Sequence, residues 1–144
     1  MEKRSHLRVA LLGGIAGGLA EVIWVLAYAG LADADAAHGA RAVATTFVPA
    51  TWGPAWLVAA GIAIHFILAL VLAAGFVYAI AAHVTPVTAM FAAVAVLAAV
   101  WGINFGVVLP IVNPGFVSLL PIAATLTSKL SFGIALAFTI HRFA

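Results

Sequence analysis

Four blocks of nearly unbroken apolar sequence dominate the chain, at about 8–31, 55–82, 87–111 and 117–141. A helix that crosses a bilayer needs about 20 apolar residues, since the hydrocarbon core is roughly 30 Å thick and each residue rises about 1.5 Å. Each block meets that length and predicts a transmembrane helix. The breaks between them have turn chemistry. His83, Thr85 and Pro86 separate the second block from the third, and proline fixes its own φ and restricts the residue before it. Pro110 and then "VNPGF", with Asn113, Pro114 and Gly115, separate the third from the fourth.

One connection is long. Residues 32–54, "ADADAAHGARAVATTFVPATWGP", carry Asp33, Asp35 and Arg41 and close on Pro49 and Pro54. Their "AAHGARAVATTF" portion suits a short interfacial helix, and Trp52 and Trp56 stand where an aromatic belt belongs. The expected architecture is an all-α, polytopic four-transmembrane-helix bundle, a single domain over 1–144 with its outer loop at 32–54.

Composition agrees. Of 144 residues, 67% are hydrophobic and 7% charged, against roughly 25% charged in a soluble domain. A net charge of +2 rests on six basic and four acidic side chains, too few to indicate a nucleic-acid partner. The partner that the composition implies is the lipid bilayer. With no cysteine, disulfides, thiolate metal sites and cysteine nucleophiles are excluded together.

Basic residues near the span ends give an orientation. Lys3, Arg4, Arg8 and Arg142 flank the two chain ends, whereas the long loop holds only Arg41. The positive-inside rule therefore expects both termini to be cytoplasmic. A competing reading takes "MEKRSHLR" as a signal-peptide n-region and "AYA" at 27–29 as its cleavage site. The apolar stretch is longer than a usual signal core and contains Glu21, which argues against cleavage.

Glu21 heads the candidate chemistry. Each span holds one strongly polar side chain at depth: Glu21, His65, Asn104 and Lys129. Counted from the expected outer ends they lie roughly 10–18 Å inward, which suits one shared layer. A charge at the centre of a membrane helix costs about 2.5–3.5 kcal/mol or more, and Glu21 and Lys129 reduce that cost by pairing. Small residues recur at helical spacing beside these groups: Gly13, Gly14, Gly17 and Gly18 beside Glu21, Gly61 beside His65, and Gly133 beside Lys129. "GGIAGG" contains two overlapping G-x-x-x-G pairs, which let membrane helices approach closely. The polar groups are thus expected at helix–helix contacts, with the glycines as packing residues. Such a pair fixes helix register, belongs to a proton or ion relay, or makes a contact with a partner subunit.

Other chemistry finds little footing. Only His65 lies deep, so a bis-histidine haem is not expected. His6, His83 and His141 are scattered singly with no metal-ligand spacing, so neither cofactor nor metal is expected. Ser128 and Lys129 are adjacent, and sequence neighbours on a helix point to different faces, which disfavours a Ser–Lys dyad. No catalytic residue is expected.

Residues 65–78, "HFILALVLAAGFVY", and 101–110, "WGINFGVVLP", resemble YagU-like bacterial inner-membrane proteins. These pair a membrane histidine with a downstream G-x-x-Y, here Gly75 and Tyr78, and a Trp-Gly helix ending in proline. The likeness covers about a third of the chain, and Lys129 departs from the histidine that relatives favour in the last helix. It implies a small protein of the bacterial inner membrane with no established reaction. The functional expectation is a non-catalytic accessory or interaction subunit, packing against itself as a homo-oligomer or against a larger membrane complex. The alternative is an oligomeric proton- or ion-coupled transporter centred on the Glu/His/Lys cluster.

Overall fold

In a bilayer every backbone N–H and C=O must find its partner inside the segment or in a closed barrel, so apolar blocks of this length fold as helices. The computed structural model describes residues 3–143; the side chains of Lys3 and Arg4, which enter the charge asymmetry above, lie outside the described residues. In chain order the helices are α1 (Lys3–Leu31), α2 (Ala37–Thr45), α3 (Pro54–Ala79), a 3-10 turn (Ala81–His83), α4 (Pro86–Ile103), a π-helical turn (Asn104–Val108), α5 (Leu109–Val112), α6 (Pro114–Val117) and α7 (Ile122–Phe143). Among the described residues there is no strand, and four helices are long and apolar enough to cross a membrane: Ser5–Leu31, Pro54–His83, Pro86–Val112 and Ile122–Phe143. The chain is an all-α four-helix bundle of multi-pass membrane type.

Local chemistry sets the boundaries. Asp33 adopts a φ of 51°, the left-handed conformation that short polar side chains tolerate, and the Ala34 N–H closes on the Ala29 carbonyl at 2.9 Å to end α1. Thr85 caps α4 by accepting from the Thr88 N–H at 3.3 Å. The fourth span starts later than expected, at Ile122 and not near 117. Leu120 precedes a proline and is steered out of the helical region, while the Pro121 carbonyl accepts from Ala124 and Thr125 to start α7. Residues 114–117 form the separate α6. The π turn has a cause in Pro110, which has no N–H and whose ring crowds the carbonyl four residues back. The helix widens there, with the Leu109 N–H bonded to the Asn104 carbonyl.

The four spans pack in the order α3, α1, α7, α4, with α1 and α7 at the centre. Near the chain termini all four converge on an apolar core, in which Val9, Val77, Leu97, Phe132, Leu136 and Ile140 are fully buried. At the opposite end α2 packs against α3 and reaches α6. It folds back along α3 with Ala44 fully buried. The long loop is therefore a wedge seated on the bundle. Asn113, at the α5–α6 corner, holds the wedge from the other side: its Nδ2 donates to the Ala42 carbonyl at 3.2 Å and to Thr46 Oγ1 at 3.0 Å.

Candidate functional site

Helix α1 is sandwiched between α3 and α7, and its glycines show how. A Cβ on Gly13 or Gly17 would run into Leu136 or Phe132 of α7; on Gly14 or Gly18 it would run into Leu70 or Phe66 of α3. The two overlapping G-x-x-x-G pairs are thus two tracks, one for each neighbour, and not a single face shared with Glu21. The Gly14 track brings the α3 backbone into close approach at Leu70, whereas Gly13 and Gly17 admit the Leu136 and Phe132 side chains of α7. Gly133 serves α7 against α4, where a Cβ would lie 3.0 Å from the Val94 Cα. Gly61 has a different role from the one its spacing suggests. Its missing Cβ makes room for the Ala40 carbonyl of α2, so it seats the wedge and not another span.

Close approach at Gly17 and Gly18 sets the polar residues beside them. Glu21, one turn on, is buried, and Lys129 Nζ of α7 lies 2.6 Å from Glu21 Oε1. The same ammonium stands 5.3 Å from the centre of the Phe132 ring, the ring that fills the space over Gly17. His65 approaches α1 from the opposite side. Its Nε2 lies 3.1 Å from the Gly18 carbonyl, which accepts the bond when the ring proton sits on Nε2. Edge-on contact with Phe66 also flanks the imidazole. Glu21, Lys129 and His65 therefore surround one turn of α1, with His65 bonded to backbone and the carboxylate left to Lys129.

Asn104 stands apart from this group. Trp101 Nε1 donates to Thr125 Oγ1 at 3.1 Å, which fixes the register of α4 against α7. From that contact Asn104 lies three residues toward the α2 end, and Lys129 lies four residues the other way. Their separation along the bundle is roughly 10 Å. Among the described residues the Asn104 side chain makes no hydrogen bond, and its backbone carbonyl supplies the π turn. The depth count from span ends fails for this residue because the span ends are staggered by the α5–α6 corner.

Two tryptophans adjoin this layer: Trp101 of the Trp-Gly motif, and Trp24, which the sequence pattern did not single out. Trp24 Nε1 of α1 donates to the Ala124 carbonyl at 2.9 Å, while Trp101 reaches Thr125 from α4. Both indoles thus grip the first turn of α7. Trp101 also stacks on Phe105, which meets Phe116 of α6 edge-on. One signal was available: Trp24 lies three residues after Glu21, on the same face.

Among the described residues no cluster of three or more histidine or carboxylate side chains is placed to hold a metal. Ser128 and Lys129 diverge as helical neighbours do: Ser128 is buried, and the Lys129 amine goes to Glu21. Chemically the layer can hold a charge pair and orient one imidazole. Comparison of the chain with protein-family models, with curated proteins and with solved structures found no match.

Proposed function

We propose that this chain is a small, non-catalytic integral membrane protein that acts by association, as an accessory or interaction subunit in a homo-oligomer or a larger membrane complex. One observation carries the reading. The deep ionisable groups, Glu21, Lys129 and His65, are engaged inside the chain, Glu21 with Lys129 and His65 with the Gly18 carbonyl, above a core of fully buried side chains. Among the described residues the segments outside the spans are small. The Glu21–Lys129 contact is then a charged pair that fixes how α1 and α7 meet. The glycine tracks no longer bear on partners, because α3 and α7 fill them. The positive-inside count and the resemblance to YagU-like proteins support a bacterial inner membrane with both termini cytoplasmic.

A second reading, an oligomeric proton- or ion-coupled carrier, draws on the clustering of Glu21, Lys129 and His65 around one turn of α1. Both are tested by extraction into mild detergent, together with reconstitution of wild-type chain and a Glu21→Gln/Lys129→Met variant. The subunit reading expects migration above monomer mass, retained assembly of the variant, and no proton or ion flux from either protein. A lone monomer overturns it. Wild-type flux that the variant loses with assembly intact establishes the carrier.

A further inference from the structure

At the α2 end a second polar constellation lies outside the layer just described. Between α2, the first turn of α3 and the α5–α6 corner opens a cleft of about 350 Å³, lined by His38, Arg41, Thr45, Asn113, Leu57 and Phe116, among others. Its walls differ in character. His38 and Arg41 lie three residues apart on one face of α2 and supply one rim. Leu57, Phe116 and Leu119 supply an apolar wall. Thr45 and Asn113 turn their donors inward, to Ala42 and Thr46, and so brace the floor.

Arg41 is held ready. Asp35 uses Oδ1 to accept from the Ala37 N–H at 2.9 Å and Oδ2 to accept from Arg41 Nη2, which ties the guanidinium to the start of α2. That contact spends one of the five donors of the fork. The His38 imidazole makes no hydrogen bond to a described residue, and its ring is exposed. Guanidinium groups with unspent donors match tetrahedral oxyanions, which accept in parallel from a planar fork. The apolar wall adds a second demand, because a free ion would leave it uncovered. An amphiphile meets both.

We infer that this cleft binds the phosphate group of an amphiphile, with Arg41 and His38 donating to phosphate oxygens and Leu57, Phe116 and Leu119 covering the first carbons of its chains. The phosphate is the chemistry recognised, and a phospholipid head group is the source that the apolar wall favours. Asp35 orients Arg41 and sets an upper limit on affinity, because its carboxylate is already a neighbour of the guanidinium.

The test uses the full chain in detergent, with native mass spectrometry and thermal unfolding as readouts. The probes are dioleoyl-phosphatidylglycerol, dioleoylglycerol as the same chains without phosphate, and inorganic phosphate. Wild type is expected to retain phosphatidylglycerol and to bind dioleoylglycerol at least about tenfold more weakly, the loss of a charge-assisted hydrogen bond. Arg41→Gln is expected to lower phosphatidylglycerol retention by a similar factor. His38→Gln, at an exposed position with no bond to lose, is expected to weaken it less while leaving the fold intact, so the inference stays testable if Arg41→Gln disturbs α2. Stabilisation by inorganic phosphate that Arg41→Gln abolishes would assign the site to a soluble phosphate. Equal retention of both lipids, or retention unchanged in both variants, overturns the inference.

Discussion

Lys129 extends from α7 to within 2.6 Å of the Glu21 carboxylate on α1, across the plane where Phe132 covers Gly17. The glycine permits the ring, the ring flanks the amine, and the amine meets the carboxylate. Packing and charge are therefore one arrangement in this part of the bundle. Removing one charge leaves the other buried alone, which costs about 3–5 kcal/mol in well-studied pairs. Lys129→Met is expected to destabilise the bundle by about that much, and Glu21→Gln/Lys129→Met to recover most of the loss. Unfolding of the two single variants and the double variant in micelles checks it. Additive losses would show that the two side chains are not coupled.

Glycines of the same apparent kind are expected to respond in opposite ways. A Cβ on Gly14 would lie 2.9 Å from the Leu70 Cα, and backbone cannot give way cheaply. Gly14→Ala should cost about 1–3 kcal/mol. Gly102 has nothing within 4 Å of its Cβ position, so Gly102→Ala should be neutral or stabilise by up to about 1 kcal/mol through helix propensity. Gly61→Ala should act locally instead, driving Ala40 and α2 off α3. Protease cleavage within 37–45 is expected to quicken while the bundle core melts as before.

Trp101 and Thr125 hold α4 to the start of α7 through one hydrogen bond of 3.1 Å. Trp101→Phe keeps the ring stack on Phe105 and loses only the indole N–H. A cost of about 0.5–1.5 kcal/mol is expected. In a double-mutant cycle with Thr125→Val, the combined variant should lose less than the sum of the two singles. A full sum would place the stabilisation elsewhere.

Acid should loosen α2. The Arg41 guanidinium, and after it the Ala37 N–H, hold the Asp35 carboxyl below its ordinary value of 3.8. A carboxylate with a depressed folded-state pKa contributes stability that is complete above its ordinary value and is lost as pH falls through the folded value. The Ala37 amide resonance should therefore titrate below the usual Asp range, and in Arg41→Gln its midpoint should move up toward that range. An unchanged midpoint would show that Arg41 does not set it.

Much of this molecule is legible in the order of its residues. Blocks of apolar sequence longer than a bilayer is thick have few folded outcomes, so the four spans and their turns follow from hydropathy, proline and the cost of an unpaired backbone group. That Glu21 and Lys129 need each other follows similarly, since each is too costly alone at depth. Partner choice among helices does not follow, because spacing places residues on a face without saying which helix covers it. Only the tertiary structure divides Gly13 and Gly17 from Gly14 and Gly18, gives Gly61 to α2, and sends His65 to a backbone carbonyl instead of the carboxylate. It also moves Asn104 out of the polar layer, through the stagger at the α5–α6 corner. The sequence determined that Glu21 and Lys129 must be satisfied; the packing of α3, α1, α7 and α4 decided by what, because close approach is a property of pairs of helices and not of either one.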